Sequence, residues 1–140
     1  MIDVPLYRLY ALRVVYFLLV LFLVSTIWTG YFHHTRVWPV MEGVARALLA
    51  AVAILAAIGI RYPLQMLPVL FFELAWKSIW LVTVGLPAQA AGPLDPDTAE
   101  TFKACAIGVV LFALVIPWPY VFQRYVKQAG DRWGKGQTRP

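Results

Sequence analysis

Apolar positions along this chain fall into four long blocks, separated by short polar or proline-bearing stretches. The blocks cover about 13–32, 41–60, 64–86 and 102–122, and a helix needs about 20 mostly apolar residues to cross the hydrocarbon core of a bilayer. Each block meets that length. The pattern predicts an all-α, integral membrane four-helix bundle folded as a single domain over residues 1–140.

The punctuation between blocks predicts how the helices connect. Arg61 and Tyr62 lead into Pro63, which suits the first turn of a helix because its missing N–H would be unpaired there. The second and third spans should therefore be antiparallel neighbours. Pro68 removes a further backbone hydrogen bond, which predicts a kink near Leu64. Residues 87–104 hold prolines, a glycine and acidic side chains, and they predict the one substantial loop, with Asp97 or Thr98 capping the fourth helix. Pro117 and Pro119 should bend the last turns of that span, while Trp118, Tyr120 and Tyr125 suit the headgroup level. Within the second span, Gly43, Ala47 and Ala51 recur every four residues, as do Ala53 and Ala57. Such stripes let membrane helices approach closely, and the first is expected to pack on a neighbouring helix.

Composition agrees with the pattern: 61% of residues are hydrophobic and 14% charged, against roughly half and a quarter in soluble domains. The net charge of +5 could suggest nucleic acid, but the basic residues sit at span ends and in the tail 123–140 rather than on one face. They orient the protein instead. With both termini cytoplasmic, Arg8, Arg13, Arg61, Arg124, Lys127, Arg132, Lys135 and Arg139 lie inside, against Arg36, Arg46 and Lys103 outside. Asp95, Asp97 and Glu100 then face outward, and the expected location is the cell inner membrane. The first span resembles a signal peptide, but Trp28, Tyr31, Phe32, His33 and His34 stand where small residues should mark cleavage, so an uncleaved helix is expected. Cys105 is the single cysteine and excludes an intrachain disulfide.

Candidate chemistry concentrates in the third span, where Glu73 and Lys77 stand near the middle. Each central charge costs insertion roughly 2.5–3.5 kcal/mol, while each large aliphatic or Phe returns about 0.3–0.6, so the pair nearly cancels the span's apolar gain. These side chains must face protein or water. One reading is mutual neutralisation, in the favourable acidic-first order one turn apart. The other is a proton or polar-ligand site, because intramembrane ionisable groups usually face a cavity. Desolvation disfavours both charges and pairing favours both. Trp76 and Trp80 flank Lys77 at helical spacing and could stack on a ligand or the cation. Glu42 and Arg46, four apart at the start of the second span, predict an interfacial ion pair. Adjacent His33 and His34 cannot supply opposing axial ligands to one haem, so an interfacial polar pair is expected, with metal binding between subunits as the alternative. No catalytic, metal or cofactor motif is present.

The segments LRVVYFLLVLFLVSTIWTGYF and MEGVARALLAAVAILAAIGIRYP carry an Arg entering helix one, a Gly at its exit, and a Glu opening an Ala/Leu-rich helix two that ends in Gly and a basic residue. Through Arg13, Gly30, Glu42, Gly59 and Arg61, residues 9–63 resemble the opening half of small bacterial DoxX-like four-helix membrane proteins. The chain departs from them in lacking a Lys shortly after Gly30. The resemblance implies an inner-membrane four-helix bundle, sometimes associated with quinone-linked oxidoreductase systems. Three functions follow as expectations. The first is an accessory or scaffold subunit of a membrane assembly, without catalytic residues or cofactor. The second is a redox-associated subunit binding a quinone or similar amphipathic ligand near Glu73, Lys77, Trp76 and Trp80. The third is a proton-coupled small-molecule transporter working as an oligomer. Expected partners are the lipid bilayer and further membrane subunits or copies, not nucleic acid.

Overall fold

The computed structural model describes residues 3–28, 32 and 38–134, and among them every regular element is helical. α1 runs over Leu6–Leu23 and continues through a π-helical turn at Val24–Trp28. α2 is Val40–Arg61. α3 runs from Leu67 through a π turn at Leu81–Gly85 to Ala91. α4 is Pro96–Val115, and a short α5, Trp118–Phe122, ends in a third π turn at Gln123–Lys127. The four long helices are apolar and long enough to cross a membrane, which defines a multi-pass membrane protein.

α1 packs along α2 and α3 along α4, while the two hairpins touch more sparingly through α1 with α4 and α2 with α3. The result is an antiparallel four-helix bundle with a seam between hairpins. Large apolar side chains such as Phe17, Leu21, Ile54, Ile79 and Leu114 point outward. In water that surface would be a liability; against lipid it is the required one.

Local chemistry sets the helix ends differently from the expected boundaries. α1 starts at Leu6, so Arg8 and Arg13 lie within it rather than before it. Residues 63–66 form turns and α3 begins at Leu67, so Pro68 occupies a first helical turn instead of kinking a helix. Its missing N–H is unneeded there. At the other end α3 continues beyond Leu86, because Pro87 follows the π turn and sits in the first turn of the last segment, Leu86–Ala91. That segment stops at Gly92, whose φ of 149° suits a residue without Cβ. α4 begins earlier than 102, since Asp95 accepts a hydrogen bond from the Thr98 backbone N–H at 3.1 Å and Pro96 opens the first turn. Asp95 is thus the cap, not Asp97 or Thr98. α4 ends at Val115 because Pro117 cannot extend it, and the chain restarts as α5.

The small-residue stripe also differs. Ala47 and Ala51 are exposed and nothing approaches Gly43, whereas Ala50, Ala53, Ala56 and Gly59 are buried. The reason is Tyr16. Its ring lies so close over Gly59 that a Cβ there would come within 2.7 Å of it.

The end of the bundle that carries the termini is closed tightly. Tyr16, Leu12, Leu67, Leu70 and Ile116 are all buried at its centre. Tyr16 donates its hydroxyl hydrogen to the Pro63 carbonyl at 2.9 Å, Arg13 Nε donates to the Ile60 carbonyl at 3.1 Å, and Arg8 reaches the Leu114 and Val115 carbonyls. Helix C-termini leave carbonyls unpaired and carry partial negative charge, so these arginines meet both needs. The Tyr125 ring packs edge-on against Phe71, folding the segment after α5 onto the same end.

Candidate ligand-binding cavity

Toward the opposite end, where α3 turns into α4, the seam between hairpins opens into a cavity of about 430 Å³. α1 contributes Leu19, Leu23, Thr26 and Ile27; α2 contributes Leu49; α3 contributes Glu73, Trp76 and Lys77. α4 adds Asp97, Glu100, Thr101, Ala104 and Cys105, which at 1.5 Å per residue spread over about 12 Å of helix. Thr26 and Ile27 belong to the π turn of α1, and π turns often re-aim side chains at functional sites. Thr26 and Thr101 bond back to the carbonyls of Phe22 and Asp97, which keeps their polarity within their own helices.

Glu73 and Lys77 meet at the cavity floor. Lys77 donates to Glu73 Oε2, and Glu73 is only 1% exposed. The lysine stem lies against Gly108 of α4, where an added Cβ would come within 2.7 Å of Lys77 Cδ and Cε. A larger residue at 108 would push the ammonium out of place. The ammonium also sits 4.2 Å from the centre of the Trp76 ring and 5.5 Å from that of Phe112, so two aromatic faces share its charge. Among the described residues, two buried side-chain polar atoms have no hydrogen-bond partner, Glu73 Oε1 and Trp76 Nε1. One is an acceptor and the other a donor. Buried polar atoms are rarely left unpaired, because each costs about 1–3 kcal/mol.

The structure thus brings Glu73, Trp76 and Lys77 to one cavity but leaves Trp80 out of its lining. The Trp80 ring extends instead toward Gly85 and Phe102, filling space that Gly85 frees by having no Cβ. Glu42 and Arg46 form an ion pair at 3.0 Å, with Arg46 also over the Trp38 ring at 4.8 Å, and neither lines the cavity. His33, His34 and Arg36 fall outside the described residues. Among the described residues no three His, Cys, Asp or Glu side chains gather as a metal site would need.

Sequence reasoning missed the α4 wall. Gly108 was the available signal, since an isolated glycine inside an apolar helix marks close approach of another group. Asp97 is expected from the sequence as a helix cap and Glu100 as outward-facing charge, not as cavity lining; their place at the cavity rim follows from α4 starting at Pro96.

Comparison with family models, with curated proteins and with solved structures finds no match to this chain. The cavity itself carries the functional argument.

Proposed function

We propose that this protein is an accessory subunit of a membrane assembly that binds a small amphipathic molecule in the cavity between its two hairpins. The observation that carries this reading is a buried carboxylate with one oxygen spoken for by Lys77 and the other unpaired, in the wall of a roughly 430 Å³ space. Small-molecule sites have about that size, and they pair apolar walls with a few placed polar groups. A pure scaffold would favour a filled core, as dense packing and paired polar atoms are the more stable arrangement. Here the free acceptor and free donor give a ligand head its orientation, and Leu19, Leu23, Ile27 and Leu49 give its body an apolar bed. The excess of basic residues at the terminus end supports a cytoplasmic location for both termini, with the cavity mouth facing out of the cell across the inner membrane.

The test is native mass spectrometry of the chain released from its membrane in mild detergent. A retained small molecule should accompany the protein and disappear in Ala104→Trp, which fills the cavity, but persist in Ala47→Trp on the exposed face of α2. A bare protein in every sample, or an adduct indifferent to Ala104→Trp, overturns the reading.

A further inference from the structure

We propose that the cavity selects monovalent organic cations with an apolar body, admitted past Asp97 and Glu100 and held with the charged head toward Glu73; this rests on the cavity being a ligand site. Its lining contains three carboxylates, Glu73, Asp97 and Glu100, against the one ammonium of Lys77. That ammonium is already engaged by Glu73 Oε2 and by the Trp76 and Phe112 rings. Glu73 Oε1 is still free to accept. Lys103, the nearest other cation on α4, is exposed and outside the lining.

An anion approaching the mouth would meet Asp97 and Glu100 before reaching anything attractive, whereas a cation is drawn in. Clefts lined by one sign of charge between low-dielectric walls concentrate ligands of the opposite sign. A metal ion is a poor occupant, because the walls are largely apolar, Ca²⁺ and Mg²⁺ take six or more oxygen ligands, and among the described residues no three His, Cys, Asp or Glu side chains gather as a metal site would need. An ammonium carrying aromatic or alkyl groups suits the carboxylates with its charge and the apolar walls with its body. Its apolar body replaces water against Leu19, Leu23, Ile27 and Leu49, and Trp76 offers an aromatic surface beside the carboxylate.

Cys105 makes the charge preference measurable. It is the sole cysteine of the chain, it lines the cavity, and it is 1% exposed. The full chain in nanodiscs is treated with three methanethiosulfonates that transfer methyl, 2-(trimethylammonio)ethyl or 2-sulfonatoethyl thio groups, each rate being normalised to its rate on a free small thiol. The cationic reagent should react about tenfold or more faster than the anionic one, the low end of electrostatic steering in charged clefts. Asp97→Asn with Glu100→Gln, both at exposed positions, should shrink that ratio severalfold when each rate is taken relative to the methyl rate of the same variant. Benzyltrimethylammonium should protect Cys105 from the methyl reagent, its uncharged isostere neopentylbenzene should protect less, and Glu73→Gln should weaken the protection by the cation.

Equal normalised rates for all three reagents overturn the cation preference while leaving an open cavity, and so does a faster anionic reagent. A Cys105 inert to the methyl reagent until the protein is unfolded overturns the cavity as a ligand site as well. Should Glu73→Gln fail to fold, the rim double variant and the isostere pair still decide the matter.

Discussion

At the terminus end of the bundle, Tyr16, Leu67, Leu70 and Ile116 close the space between hairpins, whereas one turn beyond Leu70 the side chains of Glu73, Trp76 and Lys77 face a cavity. The same four helices build both halves. In the closed half, bulky side chains interdigitate, Arg8 and Arg13 take up carbonyls at helix ends, and Tyr16 takes up the buried Pro63 carbonyl of the turn after α2. In the open half, the α4 wall is made of Thr101, Ala104 and Cys105, too small to reach across, and two polar atoms stay unpaired. Neutralising Glu73 with Lys77 would have required only the ion pair. The cavity is an additional feature, and the closed half is what can hold it open, because a close-packed core transmits strain rather than collapsing.

The sharpest way to break this contrast is through the ion pair. Lys77→Met leaves Glu73 uncompensated at membrane depth and should cost about 3–5 kcal/mol, as should Glu73→Gln, which strands the ammonium. The double variant should lose less than either single one, measured by reversible unfolding in mixed micelles. Additive single effects would mean that the two groups do not act as a unit.

Packing gives the next largest effect. Leu70→Ala in the closed half should cost about 2–5 kcal/mol, as buried Leu truncations do. Ala104→Phe adds far more volume than an ordinary core accepts, where overpacking costs about 1–3 kcal/mol, yet in the open half it should leave thermal stability nearly unchanged. A Phe at 104 as damaging as Ala at 70 would mean that the space is not available to a ligand.

The contrast was only half legible in the sequence. Four spans could be read because apolar length is a local property, and the inward facing of Glu73 and Lys77 follows from what their charges would cost in lipid. The cavity could not be read, since it depends on which level of α4 lies opposite α3, a matter of register between distant segments. Gly108 under Lys77 fixes that register. Helix ends were misjudged at Pro68, Pro87 and Pro96, which occupy first turns where the residue is harmless, and at Pro117, which breaks the fourth span instead of bending it. Of the two faces of α2, the one with Ala53, Ala56 and Gly59 is buried, and at Gly59 the absent Cβ makes room for the Tyr16 ring.

The smallest expected effect lies at the mouth, at the cap that starts α4 above the cavity. Asp95 is fully exposed, and hydrogen bonds from the Thr98 side chain and backbone N–H hold its carboxyl below the usual aspartate range. A carboxylate lowered on folding contributes stability above its unfolded pKa of about 3.9, and that contribution disappears as pH falls through the lower, folded value. Asp95→Ala should therefore lower the melting temperature slightly at neutral pH, with the gap from wild type closing as the solution is acidified below about pH 4. Asp95→Asn keeps a neutral capping oxygen, so it should fall between the two at neutral pH and show no such titration. Because Asp95 is outside the cavity lining, neither change should alter the charge preference at Cys105, which separates a loss of helix start from a loss of the acidic rim. If Asp95→Ala abolished that preference, the rim would depend on how α4 begins rather than on Asp97 and Glu100 themselves.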